Sequence, residues 1–164
     1  MAVFATSAGL WSSAGSAEDV ITISGPARVL DADILIVGNQ RVILWGIDAP
    51  ERGQTCILDA RMWGCYDAAK RLLETLAARG NLDCYLVGDP DPFNRYYGVC
   101  EFNGEDIGAE MVRQGMALAY STQTSDYEAV QLEAITAGKG LWQPGAQFQE
   151  PWLWRIQHTP GGYR

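Results

Sequence analysis

The stretch from Val20 to Ile47 constrains the fold most, because three runs rich in β-branched residues follow one another with little room between them. Val20 to Ile23, Val29 to Val37 and Arg41 to Ile47 read as strands, and Gly38-Asn39 between the last two is a hairpin signal. An antiparallel meander is expected. From about Ile57 to Ala78 the period changes: Met62, Cys65, Ala69, Leu72 and Leu76 recur at steps of three and four, with Asp67, Lys70, Arg71 and Glu74 opposite and Gly80 beyond. That spacing predicts an amphipathic helix. Two further strands, Leu82 to Val87 and Tyr96 to Phe102, flank a polar loop holding Asp89-Pro90-Asp91-Pro92 and Asn94, and Asn103-Gly104 turns the chain again. Asp106 can cap a short helix, Ile107 to Gln114, and Ser125-x-x-Glu128 has capping-box spacing for a helix ending near Gly138. The order fits an α+β, mainly β class: a five-stranded Greek-key barrel of the oligonucleotide/oligosaccharide-binding (OB) type with three helices.

At 164 residues and 48% hydrophobic, the chain suits one domain with a real core. Its net charge of -8 argues against a broad electrostatic grip on phosphate backbones, so any nucleic-acid contact has to be local. No apolar run reaches the ~20 residues needed to span a bilayer. Residues 1–17 carry no charged side chain and end in a small-residue run before Glu18-Asp19, which reads as a signal peptide or a disordered N-terminus. Residues 18–142 then form the barrel domain, and 143–164 a Trp-rich tail packing on it as an aromatic clasp.

Cys56, Cys65, Cys84 and Cys100 are even in number and contain no CxxC pair, which favours disulfides over zinc and places the protein in the periplasm or outside the cell. Cys84 and Cys100 sit centrally in two strands that one loop can fold antiparallel. Cys56 lies just before the helix whose second or third turn carries Cys65. Pairing Cys56 with Cys65 and Cys84 with Cys100 is expected, four reduced thiols in a cytosolic core being the alternative.

Alternation along Val29 to Val37 puts Asp31 and Asp33 on one strand face, and the next strand delivers Asp48-Ala49-Pro50-Glu51. Clustered carboxylates repel one another unless a proton or cation neutralises them, and a hard divalent ion is the natural partner of oxygen ligands. A D-x-D on a strand is by itself usually solvated surface.

The segments VLDADIL, LWGIDAPE, DPFNRYYG and GAEMVRQGMALAY, in this order around a helix, together resemble the staphylococcal-nuclease-like (thermonuclease) family from about Gly25 to Trp142. The four cysteines and the PWLWR end look like an exported bacterial subgroup. The resemblance implies an OB-type barrel that hydrolyses DNA and RNA with calcium (Ca2+), leaving 3'-phosphate ends. Asp33 and Asp48 match the calcium carboxylates, with the Ala49 carbonyl completing the shell. Glu51 matches the acid that activates water, Arg95 one of two arginines holding the scissile phosphate, and Asp31 an acid behind the ligands. The expected partner is DNA or RNA, single-stranded or short, acted on by a monomer.

One part of the pattern is missing. The family's other arginine falls at Ile43, an aliphatic residue that cannot donate to phosphate; losing such a charge costs on the order of hundredfold in rate, about 3 kcal/mol. Ala32 and Ile34 replace the glycine and threonine of the family's D-G-D-T. Arg41, two residues before Ile43 on the same strand face, and Arg52 are candidate replacements, Arg41 being assigned to substrate binding with Arg95. His158 is the only histidine, which removes histidine-dependent nucleophile systems, and a glycine-rich phosphate loop is absent. The segment from Asp89 to Glu133 holds nine acids against Arg95 and Arg113, so substrate has to approach from the side of Arg28, Arg41 and Arg52. The alternative class is a catalytically silent OB-fold that binds a polymer or serves as an interaction module of the envelope or of exopolysaccharide production.

Overall fold

The computed structural model describes residues 20–158, so the expected signal segment lies outside the described residues. In chain order it runs β1 (Thr22–Asp31), β2 (Ile34–Val37), β3 (Gln40–Leu44), β4 (Ile47–Asp48), β5 (Cys56–Leu58), β6 (Arg61–Trp63) and α1 (Cys65–Ala77). It continues through β7 (Asn81–Val87), β8 (Arg95–Phe102), β9 (Glu105–Asp106), α2 (Ile107–Arg113), β10 (Leu118–Ala119), α3 (Glu128–Thr136), a 3-10 turn at Gly140–Trp142, β11 (Ala146–Gln147) and α4 (Pro151–His158).

Strands β3-β2-β1-β7-β8 are neighbours in that order, and a parallel pairing of β3 with β8 closes them into a five-stranded OB-type barrel. Closure removes the open edges that would otherwise template aggregation. Gly38-Asn39 makes the tight β2–β3 turn, with Gly38 at φ +58 and Val37 opposite Gln40. The period-2 alternation sorts each strand. Leu35, Val37, Val42 and Leu44 face the core, as do Leu82, Cys84 and Cys100, together with α1 residues Ala69, Leu73 and Leu76. The opposite set, including Ile36, Arg41, Ile43, Arg95 and Tyr97, therefore faces outward. Cys84 lies directly across from Cys100, and both Cys84–Cys100 and Cys56–Cys65 are bonded.

The structure corrects four expectations. The run Val29–Val37 is not one strand: β1 ends at Asp31, Ala32 and Asp33 form a turn, and β2 begins at Ile34. Asp31 and Asp33 thus sit at a hairpin end, not on one strand face. The helix starts at Cys65, not near Ile57, because Asp59 and Ala60 at φ +50 and +61 turn residues 56–63 into a hairpin, and Met62 is 79% exposed. Cys65 is accordingly the first helical residue. The Ser125 capping box is not made: Tyr127 is the N-cap of α3 and no side chain caps it, whereas Asp106 does cap α2 through the Gly108 and Ala109 N–H groups. Among the described residues there are four α-helices, not three, the fourth built from the tail, where Pro151 presets the first helical turn.

The tail is sewn on beside the barrel. β11 pairs with β5, and a second small core of Cys56, Cys65, Leu118 and Leu141, packed by Trp63, Trp142, Phe148 and Trp152, lies beneath it.

Candidate active site

The mouth is assembled at the ends of three segments. The Asp31-Ala32-Asp33 turn is bound to the strand beside it by Leu44 N–H donating to the Asp33 carbonyl at 2.9 Å. The loop after β3 is fixed by Gly46, whose N–H donates to Gln123 Oε1 at 2.8 Å and whose carbonyl accepts from Tyr120. Only glycine serves there: φ is +76 and a Cβ would lie 2.5 Å from the Tyr127 ring. β10, the ALAY part of its motif, then pairs with β4, placing Leu118 across from Asp48. Ala49 N–H donates to Asp33 Oδ2 at 3.3 Å, which joins the turn to the loop. Asp48 is fully buried and Asp33 is 7% exposed.

A group that sequence reasoning did not single out enters from the far end of the chain. Arg155 of α4, 6% exposed, donates from Nη2 to Asp48 Oδ2 at 2.9 Å and from Nη1 to Asp48 Oδ1 at 3.3 Å, and Nη1 also meets Glu51 Oε1. This is a forked, charge-assisted contact in a dry site. Burial pushes the Asp48 carboxyl up to about 6 against the pull of the Arg155 hydrogen bond and charge, the Glu51 charge adding to the rise. Burial also raises Glu51, which feels Asp31 as well as Arg155. For Arg155 burial works the other way, yet Asp48 and Glu51 hold it above its ordinary value. Gln54, 3% exposed, links base loop and tail: its Oε1 accepts from Glu51 N–H at 2.9 Å and its Nε2 donates to the Gln149 carbonyl at 2.7 Å.

Arg95 is held by its own loop. Its Nε and Nη2 lie 2.7 and 2.6 Å from Asp91 Oδ2, while Asp91 Oδ1 accepts from the N–H groups of Phe93 and Arg95. Tyr97, two residues on along the same outer face, has its hydroxyl pushed up by burial, against the opposing charges of Arg95 and Arg155. Arg52 pairs with Asp31 at 3.7 Å and lies over the Tyr66 ring. Arg41 stays exposed on the outer face. Ile43, outward-facing by alternation, is nevertheless fully buried, its neighbours across the sheet being Ile34 and Tyr97. The structure thus links Asp33 and Asp48 through the Ala49 N–H, joins Asp48 to Glu51 through Arg155, lets the Asp31 charge act on Glu51, and sets Arg95, held by Asp91, on β8 directly opposite Arg41. The signal for Arg155 was its pairing with Trp152 at three-residue spacing after a helix-starting proline.

Two aspartates and a backbone carbonyl are hard oxygen donors of the kind calcium takes. As arranged here they do not fit an ion: both Asp48 oxygens face the Arg155 guanidinium, Asp33 Oδ2 receives the Ala49 N–H, and no three acidic, histidine or cysteine side chains group as a metal cage among the described residues. The position of positive charge is taken by Arg155.

Barrel topology and mouth define one class, and the chain belongs to the staphylococcal nuclease homologue family, which it matches over residues 41–144. That span contains Asp48, Glu51 and Arg95 and excludes both Asp33 and α4. Among curated relatives, the chain is 33% identical over 135 residues to the succinoglycan biosynthesis protein ExoI of Rhizobium meliloti, covering 79% of this chain and 68% of that protein. It is likewise 33% identical over 137 residues to an uncharacterized endonuclease of Haemophilus influenzae, covering 79% of this chain and 71% of that protein.

Proposed function

We propose that this chain hydrolyses phosphodiester bonds of DNA or RNA at the mouth between Asp33, Asp48, Glu51 and Arg95, with calcium as cofactor, leaving 3'-phosphate ends. The observation that carries the reading is the buried Asp33–Asp48 corner, with Glu51 joined to Asp48 through Arg155; to it the reading adds Arg95 as the phosphate-binding group. Glu51, its carboxyl raised by burial, is suited to take the proton of an attacking water. Arg95, oriented by Asp91, presents planar donors to the phosphate oxygens and stabilises their charge in the transition state. Asp33, Asp48 and the Ala49 carbonyl would be the donors for the cation once Arg155 has left Asp48, and Asp31 would steady the rim.

A path for substrate supports this. Register places Arg28 opposite Ile36, Ile36 opposite Arg41 and Arg41 opposite Arg95, so three arginines lie on one transverse row of the outer barrel surface. On a chain of net charge -8 such a row is a local phosphate track, suited to a short or single-stranded substrate bound by a monomer. Two disulfides support an oxidising compartment, periplasmic or secreted, and no described helix is long and apolar enough to cross a membrane. Residues 18–142 act as the catalytic domain, with 143–164 as its tail.

The test is incubation of the purified chain with denatured DNA and with RNA, in saturating calcium and in chelator, beside Glu51→Gln. Cleavage in calcium that vanishes in chelator and falls about hundredfold in the variant is expected. No cleavage of either polymer at any calcium concentration contradicts the reading. A silent OB-fold module is favoured by the buried Ile43 and by the name of the ExoI relative; polymer binding without cleavage is its signature.

A further inference from the structure

We propose that α4 is a strap that closes the mouth, with Arg155 occupying the place at Asp48 and Glu51 that a divalent cation must take; this rests on the reading of the mouth as a cation-assisted phosphodiesterase site. The guanidinium fork covers both Asp48 oxygens and reaches Glu51. An ion bonded to the same oxygens at about 2.4 Å shares that space and repels the guanidinium, so the two occupants exclude each other.

The strap is attached through side chains and not through the barrel sheet. None of its residues belongs to a barrel strand. It is held by the Arg155 pairs, by buried Pro151 and by Trp152, which packs on the small Cys56–Cys65 core and against Tyr120 at 5.5 Å between ring centroids, and by the Gln54 amide on the Gln149 carbonyl just before it. Its outer face, Leu153 and Ile156, is exposed. Gln54 also accepts from Glu51 N–H, and Arg155 meets the Glu51 carboxylate, so the strap is linked to the proposed proton acceptor at two points. In the closed form one positive charge neutralises the acids; in the open form the cation does, and Arg155 becomes accessible.

The experiment uses the full chain. Calcium binding is measured calorimetrically for the parent, Arg155→Gln and Trp152→Ala, and trypsin cleavage after Arg155 is followed by mass spectrometry with and without calcium, normalised to an unstructured reporter peptide in the same tube. Both variants are expected to bind calcium at least about tenfold tighter than the parent, and calcium to speed the Arg155 cut by a similar factor. Should Arg155→Gln fail to fold, Trp152→Ala and the parent's cleavage decide. Equal or weaker affinity in the variants, no calcium binding at all, or a cut rate that calcium leaves unmoved overturns the strap. Hydrolysis of denatured DNA in the same samples separates the two ideas. Tighter calcium binding with no hydrolysis overturns the nuclease reading and leaves the strap, whereas hydrolysis with unaltered affinity does the reverse.

Discussion

Arg155 in the last helix forks onto Asp48, 107 residues earlier in the chain, with both its Nη atoms within 3.3 Å of the carboxylate. Charges this buried are stable only as a pair, because each alone would have to leave water without compensation. The last helix of the described chain is thereby tied to β4 through one ion pair at the mouth.

Removing one partner should therefore be costly. Arg155→Met is expected to lower stability by about 3–5 kcal/mol, read from urea unfolding, and Asp48→Asn in the same chain to recover part of it. Additive losses in the double variant would show that the two groups do not interact.

Restoring the family's arginine on β3 is not expected to restore activity by itself. Ile43 is fully buried and its sheet neighbour Tyr97 already feels the charges of Arg95 and Arg155, so Ile43→Arg adds a further cation to a dry site. Thermal unfolding should show a loss of several kcal/mol for Ile43→Arg, and a smaller loss when Arg155→Met accompanies it. A variant as stable as the parent would contradict the packing described for Ile43.

The fold was largely legible because local chemistry and global order agree in it: the Gly38-Asn39 turn, the β-branched runs and the Asp106 cap each specify their element independently. Two kinds of feature were not. The D-x-D turn carries a strand pattern because Leu30, Ala32, Ile34 and Ile36 alternate across it, and nothing in a period-2 count marks a residue that leaves the sheet. Residues 56–63 carry a helical pattern because Met62 happens to fall in step with the apolar face of α1. At the site, the acids were visible as motifs because they cluster in sequence. Arg155 was not, since its partners are more than 100 residues away and an arginine among tryptophans reads as surface.

The two disulfides should differ in what they hold. Cys84–Cys100, of separation 16, ties adjacent barrel strands, and Cys56–Cys65, of separation 9, lies in the small core under the tail. Loop-closure entropy gives about 3.1 and about 2.6 kcal/mol respectively. Cys56→Ala with Cys65→Ala is expected to leave the barrel amides protected from hydrogen exchange while those of β11 and α4 exchange faster. Uniform loss of protection would show that tail and barrel unfold as one.

Acid should weaken the protein through Asp91 and Glu110. Partial burial works to raise both, but hydrogen bonds from Arg95 and the Phe93 N–H on Asp91, and from Gln114 and Arg113 on Glu110, with the arginine charges, hold them below their ordinary 3.8 and 4.5. Their folded-state values being lower than the unfolded ones, the stability they contribute is complete above the ordinary values and disappears as pH falls through the lowered ones. Thermal midpoints should thus drop below about pH 4, and Arg113→Gln should shrink that drop. An undiminished drop in the variant would assign the acid limb to other groups.

The most direct measurement is the rate at which the chain cuts a single-stranded oligonucleotide in saturating calcium, compared with Arg95→Ala under single turnover. The account predicts cleavage leaving 3'-phosphate ends, slowed at least about hundredfold by the substitution. Cleavage that Arg95→Ala leaves at the parent rate would place the chemistry somewhere other than this mouth.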